Sequence, residues 1–189
     1  MKKFLALSLG LLCFGRAPAQ KMGGLEIGAA VPNFQLTNQD GATTRFTDYR
    51  GKVVIVSFLF TRCPDPSKCP MLSAKLGKVQ ELIGQMEEAR HRVQILSITL
   101  DPKNDTPEVL KGYAQGHHAD NWTFLTGKSN DILKVAGLFG EIYYDEKGTV
   151  VHNTRTSMID PRGRLRRVFT DNDWKMSEMT GAIRQLLDS

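Results

Sequence analysis

The stretch that decides the fold runs Val53-Val54-Ile55-Val56-Ser57-Phe58-Leu59-Phe60 and continues Thr61-Arg62-Cys63-Pro64-Asp65-Pro66-Ser67-Lys68-Cys69-Pro70. Its first eight residues are a continuous apolar, β-branched run, bounded by Gly51 on one side and the Cys/Pro segment on the other. Such a run predicts a central strand covered on both faces. Beyond Pro70, Leu72, Leu76, Val79, Leu82, Ile83 and Met86 recur at three- and four-residue steps, which predicts a helix over Met71–Ala89. The cysteines therefore lie where a buried strand hands over to a helix.

Working outward, Val93–Leu100 reads as a second buried strand. Asp105-Thr106-Pro107-Glu108 offers a cap followed by Pro in the first turn of a helix reaching Gln115. Trp122–Leu125 predicts a short strand, and Ser129 or Asn130 a cap for a helix to Leu138. Upstream, Phe34–Leu36 and Thr43–Phe46 flank Asn38-Gln39-Asp40-Gly41, a hairpin signal. Two more hairpins follow, Ile142–Tyr144 with Thr149–Val151 and Ser157–Asp160 with Leu165–Phe169, before a closing helix over Met176–Leu187. This order predicts an α/β fold with a mixed central sheet, helices on both faces and an N-terminal hairpin extension. With cysteines after the first core strand, it is the thioredoxin-like arrangement.

The 189 residues suffice for one domain with a sizeable core. Lys2 and Lys3, the apolar run Phe4–Gly15 and Ala17-Pro18-Ala19 have the layout of a secretory signal peptide over residues 1–19. An uncleaved membrane anchor is the alternative, although the run is short for a span. Leu12 before Cys13 departs from a lipidation signal. Residues 20–30, with three Gly, read as a flexible lead-in, and 31–189 as the domain. Loss of residues 1–19 removes Lys2, Lys3 and Arg16 and no acid, taking the net charge from +5 to +2. No basic run with interleaved aromatics remains, so nucleic-acid binding has no support. Arg162, Arg164, Arg166 and Arg167 read as a solvated face, with an acidic partner surface as the alternative.

Cys63 and Cys69 are the two cysteines left after that cleavage. A disulfide closing so short a loop adds less stability than a long-range crosslink, which favours reactive use over a structural staple. Pro64 and Pro66 keep the intervening five residues out of a helix, and Pro70 pre-sets the first turn of the next one. At a helix N-terminus, exposed N–H groups and the dipole are expected to lower a thiol pKa, with Arg62 and Lys68 adding positive charge. A thiolate serves metal binding and disulfide exchange alike, so location does not choose between them.

The run Phe58-Leu59-Phe60-Thr61-Arg62-Cys63-Pro64-Asp65 with Cys69-Pro70 resembles the copper-binding loop of the SCO/SenC family. The family's later motifs are matched by Asp101–Leu110, by Trp122–Gly127, and by His152 ahead of Met158-Ile159-Asp160-Pro161-Arg162-Gly163. The resemblance covers about residues 28–188 and implies a thioredoxin-like copper chaperone of cytochrome c oxidase assembly. It implies Cys63 and Cys69 as redox-active thiols and thiolate ligands, His152 as the imidazole ligand, and copper, Cu(I) or Cu(II), as the metal. The expected protein is an exported, periplasmic or extracytoplasmic monomer serving a membrane-associated oxidase subunit or a partner thiol protein. One feature departs from the family: its usual loop has three residues between the cysteines, and Pro64–Lys68 makes five.

Two thiolates and an imidazole suit Cu(I), and Cu(II) or Zn(II) can occupy such a set. The competing readings are a thiol–disulfide oxidoreductase without stable copper, a peroxidase of the peroxiredoxin type, and a non-catalytic scaffold. His91, His117 and His118 read as solvated, and Met71, Met86, Met158, Met176 and Met179 as packing residues. Asp65 and Asp101 read equally as turn formers or as groups behind the ligands.

Overall fold

The computed structural model describes residues 23–117 and 122–189. The expected signal peptide and His118 lie outside the described residues. Strand β3 (Val53–Leu59) is buried along its whole length and alternates between two cores. Val53, Ile55 and Leu59 face one, while Val54, Val56 and Phe58 face the other. This period-2 division explains why the run is apolar without interruption.

Helix α1 (Cys69–Gln85) follows, then β4 (Val93–Thr99), parallel to β3 in register from Val53↔Val93 to Leu59↔Thr99. Helix α2 (Pro107–Gly116) leads to β5 (Trp122–Thr126), parallel to β4. Helix α3 (Ser129–Leu138) precedes the remaining strands. The N-terminal hairpin is β1 (Gln35–Asn38) with β2 (Thr43–Arg45). Strands β8 (Thr156–Ile159) and β9 (Leu165–Phe169) and helix α4 (Met176–Leu187) close the chain. The seven-stranded sheet has the order β2-β1-β5-β4-β3-β8-β9, with β8 antiparallel to β3. Leu72, Leu76, Val79 and Ile83 of α1, Leu110 of α2, and Met179, Ile183 and Leu187 of α4 fill one core. Ile132, Val135 and Ala136 of α3 lie in the other. The expected mixed sheet with helices on both faces is present.

Strands β6 (Tyr143–Glu146) and β7 (Thr149–His152) form a separate two-stranded ribbon. It is joined to α3 by a Schellman turn: Gly140 N donates to Gly137 O and Glu141 N to Ala136 O, with Gly140 at φ 68. A Cβ at Gly140 would sit 2.9 Å from the Gly23 carbonyl oxygen, so close approach as well as backbone conformation demands glycine there.

Several local expectations shift. Helix α1 begins at Cys69 rather than Met71, because Pro70 fits a first-turn position and Cys69 precedes it. It stops at Gln85 rather than Ala89, where Met86 turns to an extended conformation on the way to β4. Thr106 caps α2 and accepts from Val109 N, while Lys128 stands at the start of α3 without a side-chain cap. Residues 23–30, read as a flexible lead-in, bond to the domain through Leu25 N to Leu138 O and Gly28 N to Leu165 O. Among the described residues no helix is long and apolar enough to cross a membrane.

Candidate metal centre

The segment between β3 and α1 is held at both ends. At its start Thr61 donates from its backbone N (3.1 Å) and hydroxyl (2.5 Å) to Asp105, which also accepts from Thr99 Oγ1 at 2.6 Å. Asp105 is fully buried, and its three donors come from the ends of β3 and β4. Arg62 pairs with Asp101 at 2.9 Å, so the charge expected to favour a thiolate is already neutralised in part. At the loop's end, Asn172 Nδ2, from the connection between β9 and α4, donates to Ser67 O (3.3 Å) and Lys68 O (3.1 Å). Inside the loop, Asp65 Oδ1 accepts from Ser67 N and Ser67 Oγ, which lowers the Asp65 pKa. Asp65 is thus a turn former, and Asp101 braces Arg62.

Cys63 and Cys69 are both free thiols. Cys63 is half-buried and its Sγ donates to Asp65 O at 3.7 Å. Cys69 is 1% exposed. The expected lowering of the thiol pKa fails at Cys69, whose pKa is pushed up to about 12. Burial is the largest cause and outweighs the hydrogen bonding from the Phe60 and Cys69 backbone, and the neighbouring Cys63 adds to the rise. The helix N-terminus is present, but its amides do not compensate for the water that burial removes.

His152 ends β7 and is buried. Its Nε2 lies 3.7 Å from Cys69 Sγ. On the other side of the ring, Nδ1 meets two oxygens, Glu141 Oε1 at 2.9 Å and the Asn153 carbonyl. Two acceptors on one nitrogen place a hydrogen on Nδ1, so in the neutral ring Nε2 is the nitrogen whose lone pair faces the sulfur. Phe60 packs edge-on to the ring at 6.0 Å between centroids. Glu141 is 3% exposed, and burial raises its pKa against the lowering effects of His152 and of the Arg155 charge and backbone.

Two ligands of one metal, with bonds of about 2.3 Å to sulfur and about 2.0 Å to nitrogen, lie about 3.5–3.7 Å apart at tetrahedral to trigonal angles. The Cys69–His152 spacing fits that range. Among the described residues, no three His, Cys, Asp or Glu side chains form a ready-made metal cage. Cys63 lies close enough to Cys69 to raise its pKa by charge and hydrogen bonding, and a site that includes Cys63 gives up its S–H contact with the Asp65 carbonyl.

Glu141, Asp105 and Asn172 are the residues that sequence reasoning missed in these roles. Asp105 had a signal, since it lies in the Asp101–Leu110 motif, but it read there as a cap. Nothing local marks Glu141 or Asn172, whose partners lie 11 and over 100 positions away. His91 is exposed, as expected. His117 is not simply solvated: its ring lies 4.7 Å from Tyr113 and 5.8 Å from Trp122.

A model of the SCO1/SenC family matches residues 25–188. Among solved structures, a SCO1/SenC family lipoprotein from Bacillus anthracis superposes with a TM-score of 0.75 at 30% identity, over 84% of this chain and 95% of that one. ScoI of Arabidopsis thaliana, solved with copper bound, gives 0.73 at 25% identity, over 85% and 100%. BsSco, a member of the Sco family of cytochrome c oxidase assembly proteins in which a disulfide switch was identified, gives 0.73 at 25%, over 87% and 98%. The fold agrees with this match, which spans most of the sequence: the chain belongs to the SCO1/SenC family.

Proposed function

We propose that this protein is an exported copper chaperone that binds the ion through Cys63, Cys69 and His152 and passes it to a respiratory oxidase subunit. The observation that carries the reading is the 3.7 Å approach of His152 Nε2 to Cys69 Sγ. A soft thiolate pair with one neutral imidazole matches Cu(I). The copper-bound Arabidopsis relative and the oxidase-assembly family of BsSco support the metal and the recipient. Copper here is cargo. Each thiol that binds it gives up its proton, so the raised Cys69 pKa makes loading and release sensitive to pH. Anaerobic titration of the reduced protein with Cu(I) against a chromophoric chelator tests the assignment. One ion binds per chain, and His152→Ala weakens it; equal affinity in parent and variant, or no binding above background, overturns it.

A second reading rests on the two free thiols, with Cys63 close enough to raise the pKa of Cys69. In it the pair reduces a partner's disulfide: Cys63 and Cys69 close into a disulfide, and two electrons and two protons pass to the partner's sulfurs. Cys69→Ser then accumulates a mixed disulfide through Cys63. A reduction potential too low for any cellular donor to regenerate the dithiol rules that reading out.

A further inference from the structure

We propose that Glu141 is the positioning residue for His152, holding the imidazole so that Nε2 is the ligand atom. The inference rests on the copper reading and extends it to a residue that makes no contact with the ion. Its basis is the way three independent features converge on one carboxylate. The Schellman turn at the end of α3 fixes the backbone of Glu141, through Glu141 N to Ala136 O at 2.9 Å. The ribbon then brings His152 back beside it: Tyr143 pairs with His152, Ile142 N donates to Asn153 Oδ1 at 2.7 Å, and Asn153 N to Ile142 O at 3.2 Å. Finally, Oε1 takes the His152 Nδ1 hydrogen at 2.9 Å while Oε2, also buried, has no hydrogen-bond partner.

The unpartnered oxygen is the telling detail. A buried carboxylate with one oxygen short of a partner is costly to keep, and Arg155, through its charge and backbone, offsets that cost only in part, since burial still raises the Glu141 pKa. Proximity to Arg155 accounts for a negative charge here but not for its seat against the His152 Nδ1 hydrogen. Orientation of the ring does, because a carboxylate behind a ligating histidine fixes the tautomer and raises ligand basicity. The Asn153 carbonyl accepts the same hydrogen, which disfavours the opposite tautomer further, since Nδ1 would then set a lone pair against two oxygens.

The test compares Glu141→Leu, Glu141→Ala and Glu141→Gln in the full, reduced chain. Leu fills the site without an acceptor, whereas Gln restores one through its amide oxygen. Cu(I) competition with a chromophoric chelator shows Leu and Ala weakened about 10- to 100-fold, and Gln returned to within about threefold of the parent. Proton–nitrogen correlation spectra of the metal-free protein give a readout that needs no copper. The His152 Nδ1–H resonance, shifted downfield by the carboxylate, moves upfield in Leu and Ala and returns in part in Gln. Melting curves show Leu folded, and any fall in melting temperature reports the lost Arg155 contact separately from the position of the ring. The inference is overturned if Leu binds Cu(I) within about twofold of the parent, or if its Nδ1–H resonance is unmoved. If the parent itself binds no Cu(I) while the resonance responds as described, the copper reading fails and Glu141 still orients His152. No change in either measurement, with the parent binding Cu(I), removes the role of Glu141 and leaves the copper reading standing.

Discussion

The two halves of the site are held in opposite ways. The Cys-bearing loop is tied at several points: Asp105 and Asp101 grip Thr61 and Arg62, Asp65 folds the middle, and Asn172 closes the end. The His152 half lies on a ribbon outside the main sheet, and its ring depends on Glu141 and one neighbouring carbonyl. The difference teaches where each half is vulnerable. In the loop, loss of one tether leaves the others, so its cost falls first on stability. In the ribbon, loss of one carboxylate falls first on the imidazole. The sulfur and nitrogen meet at Cys69, which belongs to the first half by chain and to the second by contact.

Breaking the meeting point gives the largest effect. Cys69→Ser removes a soft donor and leaves a hydroxyl in its place, and Cu(I) affinity falls by about 1,000-fold or more. The chelator competition described above measures it. Retention of tight binding would mean that Cys63 and His152 alone define the site.

The next effect sharpens the contrast between burial and dipole at that residue. With its pKa pushed up to about 12, native Cys69 carries about a thousandfold less thiolate at pH 8 than an ordinary thiol in the unfolded chain. Iodoacetamide labelling of Cys69, followed by peptide mass spectrometry, is therefore slower by about that factor in buffer than in urea, and it accelerates about tenfold per pH unit up to pH 11. The sign for stability follows from the same shift. The folded state holds this proton more tightly than the unfolded state, so the contribution is complete below about pH 8.5 and is lost as pH rises toward about 12. Labelling at the same rate in buffer and in urea would mean that the helix amides outweigh desolvation.

The first half is then broken at its buried anchor. Asp105→Ala leaves the Thr99 hydroxyl and the Thr61 donors without their acceptor, which costs about 3 kcal/mol, or about 100-fold in the folding equilibrium. Urea denaturation reads this directly. A loss under about 1 kcal/mol would show that water or the remaining tethers replace the carboxylate.

The same contrast explains what was legible in the sequence. The continuous apolar run of β3, the three- and four-residue recurrence in α1 and the hairpin signals are local patterns, and they gave the element order and the two-sided sheet. Family motifs singled out Cys63, Cys69 and His152, and of these the structure sets His152 against Cys69. The end of α1 was not, because Glu87, Glu88 and Ala89 suit a helix and only the approach to β4 stops it. The acidity of Cys69 was misjudged for a physical reason: helix position is visible in a sequence, whereas the loss of solvent around one sulfur depends on α1 packing into the core. Glu141 and Asn172 look like ordinary surface residues until the tertiary structure buries them.

The smallest effect isolates the outermost tether. Asn172→Ala deletes the amide that donates to Ser67 O and Lys68 O, but it keeps the residue's own carbonyl, which accepts from Lys75 Nζ together with Trp174 O. The substitution therefore leaves the Lys75 contact with the β9–α4 connection in place and releases only the loop. Both freed carbonyls lie at the entrance to α1, where water can reach part of the exposed loop, so the loss is about 1 kcal/mol, or about fivefold in folding equilibrium. Amide hydrogen exchange resolves it better than a melt: Lys68 and Leu72, whose N–H groups bond to Asp65 O and Lys68 O, exchange about fivefold faster, while β6 and β7 keep their parent rates. Faster exchange in the ribbon as well would show that the two halves share one support. Exchange confined to the loop shows that five residues between the cysteines are tolerated because Asn172 and Asp65 supply their own scaffold.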